Sequence, residues 1–300
     1  MDFTGKITSG KLKEPFRLVC YGKDGVGKTD FASQSEDPIF ICAEQGTGNF
    51  DVKRFPAPEF FKDILDMVDW MVEQEKKGGP KTLVIDTIDW MERMIDKQCE
   101  AELGKELSKV GFQGGFKLSH AKHADFIASL ARLKKTNVIA LAHAKVKTFQ
   151  DPGTGTGYDK YNLSLRDDIA NVWRQWADAV LYFDYETFKK SEDDRFAFGE
   201  GKRVMYTEER PGFHAKCRYP VPFQMRLDRG KGWKTFTDAV AAGEVKPEVL
   251  LKEIDELMVV VTDETKKKAS VDYVKSISND PRLLSEFKSK LVAIKNGVVQ

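Results

Sequence analysis

The sequence predicts an α/β fold, a mostly parallel sheet covered by helices on both faces. Three observations carry that expectation. Short apolar runs recur from Phe16 as far as Phe183. Between them lie longer segments whose apolar residues repeat at helical spacing. A glycine-rich loop, Gly22-Lys23-Asp24-Gly25-Val26-Gly27-Lys28-Thr29, joins the first run to the first helix. Strands alternating with helices are what parallel pairing needs, because each crossover must return the chain to the same edge of the sheet.

In order, Phe16 to Tyr21 is an apolar strand ending at the glycine loop, and Lys28 to Ser35 opens a helix. Pro38-Ile39-Phe40-Ile41-Cys42 is a second buried strand. Pro58 to Lys77 places Phe61, Ile64, Leu65, Val68 and Met71 on one helical face, and Gly78-Gly79-Pro80 stops it. Thr82 to Asp86 is a third strand, followed by a helix through Trp90 to Leu103 and a glycine-punctuated stretch from Gly104 to Phe116. Leu118 to Lys135 is helical, and Asn137 to His143 is a fourth strand. Lys145 to Asp168, with Asp151-Pro152-Gly153-Thr154-Gly155-Thr156-Gly157 inside it, reads as a loop too long for a plain connector. A helix over Asp168 to Trp176 then leads to a strand over Ala179 to Phe183. Shorter strands near Val204 to Thr207, His214 to Tyr219 and Phe223 to Leu227 read as hairpins added to the sheet edge. Val249, Leu250, Ile254 and Leu257, then Leu283, Leu284, Phe287 and Leu291, mark terminal helices, so the chain divides into a core over 1–237 and a small helical region over 238–300.

Composition narrows the class. Lysine and arginine number 48 against 47 acids, so no global cationic field draws the chain to polyanions, and nucleic acid would need a local strip. No run approaches the length of a membrane span, and charges at Asp2, Lys6, Lys11, Lys13 and Glu14 break any signal-peptide core. The expectation is a cytoplasmic protein without membrane contact. Cys20, Cys42, Cys99 and Cys217 are too far apart for a zinc pair or a disulfide framework.

The glycine loop carries the chemistry. Gly22, Gly25 and Gly27 let the backbone turn and present N–H groups to phosphate oxygens. Lys28 reaches the β- and γ-phosphates, and the Thr29 hydroxyl suits Mg2+, so ATP with Mg2+ is the expected ligand. Magnesium also needs a carboxylate at a neighbouring strand end. Asp86 fits, whereas Asp89, one helical turn further on, reads as a helix cap. Hydrolysis needs a group to activate water beside the γ-phosphate, and Glu44, directly after the second strand, is the candidate. His143, ending the fourth strand, is placed to hydrogen-bond the γ-phosphate or simply to finish the strand. His120 and His123 share a helix face without a third metal ligand.

These residues, with Ile41 to Glu44, Leu83 to Asp86, Gly111 to Phe116, Ala140 to His143 and Gln175 to Val180, resemble the RecA-like ATPases over roughly residues 14 to 236. The closer likeness is to short phage proteins grouped as nucleotide-binding or single-strand-annealing. The resemblance implies a RecA-like core with Glu44 as catalytic glutamate, Asp86 as the outer-sphere carboxylate of magnesium, and His143 as a switch reporting nucleotide state. It further implies that Lys216 and Arg218 act as fingers in a neighbour's ATP site, hence self-association into a ring or filament, and that single-stranded DNA is a partner in recombination or annealing. The loop after the fourth strand would line the DNA, with Lys145, Lys147, Lys160 and Arg166 following the backbone and Phe149, Tyr158 and Tyr161 offering rings to bases. Asp151, Asp159 and Asp167 dilute that charge. Two other functions remain open, an ATP switch or motor-loader subunit acting on a protein, and a small-molecule kinase. No Asn-Lys-x-Asp motif favours guanine.

Overall fold

Burial on both faces explains why the strand sequences are nearly continuous apolar runs. The computed structural model describes residues 5, 7–10, 12–44, 46–151, 153, 155–187, 201–244, 247–261 and 264–295. Asp2, Lys6 and Lys11 near the N-terminus and Pro152 and Thr154 in the glycine-rich stretch lie outside them. The chain runs β1 (Arg17–Gly22), α1 (Lys28–Ser33), β2 (Pro38–Cys42), β3 (Lys53–Arg54), α2 (Phe61–Lys76), β4 (Thr82–Asp86), α3 (Ile88–Leu103), α4 (Gly114–Leu130) and β5 (Asn137–Gln150). It continues through β6 (Gly157–Leu163), α5 (Asp167–Trp176), β7 (Ala179–Tyr185), β8 (Arg203–Tyr206), β9 (Lys216–Cys217), β10 (Gln224–Arg226), α6 (Gly232–Gly243), α7 (Pro247–Leu257), α8 (Glu264–Ser276) and α9 (Pro281–Lys295).

The sheet order is β10-β8-β7-β1-β5-β4-β2-β3. From β7 to β3 all neighbours are parallel, while β8 and β10 continue the sheet antiparallel and β9 pairs antiparallel with the start of β7. Alternation divides the core. Val19, Tyr21, Ile41, Ile85 and Ala140 face α2, α3, α4 and α5, and Leu18, Cys20, Phe40, Val84 and Leu141 face α1 and α6. The expected α/β class, parallel core and added antiparallel strands are present. No described helix is long and apolar enough to cross a membrane.

Three features differ from expectation. Lys145 to Asp168 is not a loop: β5 runs past His143 to Gln150 and pairs with β6 from Ala144↔Leu163 to Gln150↔Gly157. The ribbon leaves the sheet, so much of both its faces meets solvent and the apolar alternation that marks a half-buried strand is lost. Second, β3 adds a parallel edge strand too short and charged to read in sequence. Third, position 237 falls inside α6, whose Phe236 and Val240 both pack under the sheet. The later helices gather a separate apolar cluster around Leu250, Ile254, Leu284 and Leu291.

Candidate nucleotide site

The glycine loop leaves the sheet at its crowded centre. Gly22 stands opposite His143 of β5 and Phe183 of β7. A Cβ there would lie 2.2 Å from the Phe183 carbonyl oxygen, so only glycine lets the strands approach. Gly27, with φ at 102°, supplies the left-handed turn into α1. Lys28 is buried and its Nζ donates to the carbonyls of Gly22 and Lys23, both at 3.0 Å. Burial lowers its pKa, against the opposing pull of Asp24, Asp86, Asp89 and Glu44. A buried ammonium answered by two neutral carbonyls is poised to accept an anion.

Thr29 Oγ1 donates to Asp86 Oδ2 at 3.2 Å. The two therefore offer hydroxyl and carboxylate oxygens, hard donors of the kind Mg2+ takes. Burial pushes the Asp86 carboxyl up to about 6, with the Thr29 hydrogen bond working the other way. A metal cation would reverse that cost of holding the carboxylate ionised, so the residues present fit magnesium.

On the other side of β5 from β1, the Glu44 amide bonds to the Asp86 carbonyl at 3.1 Å, which ties the chain after β2 to the end of β4. The Glu44 carboxylate accepts from Thr87 Oγ1 at 3.4 Å. His143 lies between these parts: its Nε2 is 3.4 Å from Asp24 Oδ1 and 3.7 Å from Glu44 Oε2. Asp89 is not the helix cap that its position suggests. Its Oδ1 accepts from the His143 backbone N–H at 3.0 Å and its Oδ2 meets His143 Nδ1 at 2.9 Å. That hydrogen bond is the chief reason the His143 imidazole is held above its ordinary pKa, while burial opposes it. Burial would raise the Asp89 carboxyl, but the His143 contacts outweigh it and keep it low. His143 also does not end its strand, since β5 continues from it into the hairpin.

Lys216 and Arg218 lie elsewhere. β9 pairs with Ala179 and Val180 at the start of β7, whereas the glycine loop sits beside its far end. Arg218 Nη1 is 2.9 Å from Asp178 Oδ1, a carboxylate that also pairs with Arg17. These two cations therefore do not reach the chain's own glycine loop. The expected DNA strip is likewise divided. Lys160 is buried against Glu209, Tyr161 stacks on Tyr182 at 5.4 Å, Lys147 pairs with Asp167, and Arg166 holds Asp96 at 2.9 Å. Phe149 and Tyr158 pair near the hairpin tip at 5.6 Å, with Phe149 exposed. His123 is fully buried, and burial pushes its pKa down to about 3.

Sequence reasoning missed two contributors and the role of a third, the pairing of Asp89 with His143. That role could have been found only from the β4–β5 pairing that sets Asp89 beside His143. Arg203 and Arg229 line a cavity of about 280 Å3 with Gly27, Lys28, Thr29 and Asp30. Both come from the antiparallel edge, and no local motif marks them.

A family model described as an AAA domain matches residues 14–219. That is well over half of the 300 residues, so the chain belongs to this family and carries a P-loop ATPase domain. No curated protein matches it.

Proposed function

We propose, on the premise of that membership, that the protein binds and hydrolyses Mg-ATP at the carboxyl ends of β1, β5 and β4 and couples turnover to single-stranded DNA in phage-type recombination or annealing. The observation that carries the hydrolytic part is the convergence of Lys28 and Thr29 at the start of α1, Glu44 after β2, Asp86 of β4 and His143 of β5 at one end of the sheet, where open α/β sheets bind ligands. Lys28 holds the phosphate oxygens. Thr29 and Asp86 would hold magnesium, which supplies positive charge against the phosphates. Glu44 accepts a proton from the attacking water, the oxygen bonds to the γ-phosphorus, and the bond to the β,γ-bridging oxygen breaks to give ADP and phosphate. Asp89 fixes which way the His143 ring faces, so that Nε2 stays turned to the loop and Glu44.

Support for the DNA part is the path of β5. One strand carries His143 at the nucleotide end and the exposed Phe149 near the hairpin tip, a direct route from nucleotide state to a stacking ring. Under this reading Lys216 and Arg218 serve a neighbouring copy in a ring or filament, because they are remote from the loop of their own chain. A second reading, an ATP switch acting on a protein, is favoured by the internal pairing of Lys147, Lys160 and Arg166, which leaves fewer cations for a phosphate backbone.

The test is steady-state ATP hydrolysis by native protein and Glu44→Gln, each with and without a single-stranded oligonucleotide. Native turnover is expected to rise with DNA, and Glu44→Gln to lose about 10²–10⁴ in rate while still binding ATP. Equal turnover in the two proteins overturns the role of Glu44. Native turnover indifferent to DNA turns the choice to the protein-switch reading.

A further inference from the structure

The two flanks of Lys28 differ in charge. On one stand Asp24, Glu44, Asp86 and His143. On the other is the cavity of about 280 Å3 whose ionic groups are Lys28, Arg203, Arg229 and a single acid, Asp30. We propose that Arg203 and Arg229 are nucleotide ligands supplied by the same chain, binding the α,β-diphosphate of the nucleotide rather than its γ-phosphate. The inference rests on the glycine loop being the ATP site and assigns a further pair of residues to it.

The fold delivers both guanidinium groups to one edge. β8 is antiparallel to β7, so Arg203, at its start, stands opposite Tyr185 at the end of β7. β10 turns back antiparallel to β8, so the segment after it, with Arg229, returns to the edge from which the glycine loop emerges. Neither position is loosely held. The Leu227 amide bonds to the Arg203 carbonyl at 3.0 Å, and the amide of Gly230, next to Arg229, reaches Asp30 of α1 at 3.3 Å.

Arg203 lies directly on the phosphate-binding turn. A Cβ at Gly27 would sit 2.9 Å from Arg203 Nη1, so the missing side chain at Gly27 leaves room for the guanidinium as well as for the turn. Tyr185 Oη donates to the Gly25 carbonyl at 3.0 Å and anchors the adjoining part of the loop to the same edge. Among the described residues neither the Arg203 nor the Arg229 guanidinium has a hydrogen-bond or ion-pair partner, although Arg203 is half-buried. A guanidinium partly removed from water and left unpaired is unfavourable unless an anion answers it. Its planar fork suits two phosphate oxygens, and it stands beside the backbone turn that presents N–H groups to phosphate.

The diphosphate assignment follows from which groups line which flank. Glu44 and His143, the groups suited to water and γ-phosphate, are not part of the arginine cavity, whereas Thr29 and Asp30 at the start of α1 are. ADP should therefore engage both arginines as fully as ATP does.

The experiment is calorimetric binding of Mg-ADP and Mg-ATP to native protein, Arg203→Ala, Arg203→Lys and Arg229→Ala. Arg203→Ala is expected to weaken both nucleotides by about tenfold or more, the size of a lost charge-assisted contact, with partial recovery in Arg203→Lys. Arg229→Ala changes an exposed residue and should weaken both as well, which keeps the test open if Arg203→Ala fails to fold. Native-like affinity in Arg203→Ala and Arg229→Ala, with native protein binding normally, overturns this proposal alone. Loss of ATP affinity with ADP unaffected overturns the diphosphate assignment. Native protein that binds neither nucleotide defeats the reading on which the proposal stands.

Discussion

His143 is held by two hydrogen bonds to one carboxylate, and that pairing sets both its orientation and its charge. Because the Asp89 contact is the main cause of its raised pKa, the imidazole should titrate above 6.5 in the native protein, measured by NMR. Asp89→Asn should move the midpoint downward, since burial and the Lys28 charge, which disfavour the cation, then face only the weaker pull of Glu44. An unmoved midpoint would mean that Asp89 does not govern the ring. Residues of this kind were legible in unequal degree. Lys28 and Thr29 declare themselves by spacing within eight residues of chain, and Asp86 by closing an apolar strand. Asp89 looked like a cap because its partner is 54 residues away, and Arg203 was silent because its relation to Gly27 exists only once the edge strands have paired.

At the scale of elements, α3, α4 and α5 are tied by one arginine. Arg166, at the entry to α5, reaches Asp96 and Ser119 at 2.9 Å each, and its backbone N–H donates to Glu92 at 3.2 Å. Glu92 is buried, and burial pushes its carboxyl up to about 7 in spite of Arg166. A raised carboxyl binds a proton in the folded chain that the unfolded chain has released. Between about 4.5 and 7 its presence therefore lowers stability as pH rises, with no further change above that. Glu92→Gln should then raise the unfolding temperature at pH 8 and have little effect near pH 4.5, at about 2–4 °C per kcal/mol for a chain of this size. A loss of stability at pH 8 would show that the Arg166 contact outweighs burial. The same element bears on the charged stretch before it: Lys145, Lys147 and Arg166 look like a solvated strip in sequence, and in the fold Lys147 and Arg166 brace the start of α5 or its neighbours. Charge runs give no sign of whether the partner is a nucleic acid or the chain itself.

Across the whole molecule, the sheet order was not readable from sequence, although most of the strands that compose it were, β3 and the β5–β6 hairpin excepted. Placing β5 between β1 and β4 is what carries His143 to the mouth of the loop, and extending that strand to Gln150 joins the mouth to the hairpin. The antiparallel edge then completes the other side of the cavity with Arg203 and Arg229. All of these depend on one property, a loop built to hold a triphosphate through the Lys28 ammonium. The most direct measurement is the shift in unfolding temperature of native protein and Lys28→Ala on adding Mg-ATP, because a ligand that binds only the folded state stabilises it in proportion to occupancy, by about 2.7 kcal/mol at a hundred times Kd. The native protein should be stabilised and Lys28→Ala scarcely at all. An unfolding temperature that ignores Mg-ATP in the native protein, or that rises equally in both, would contradict the nucleotide site itself.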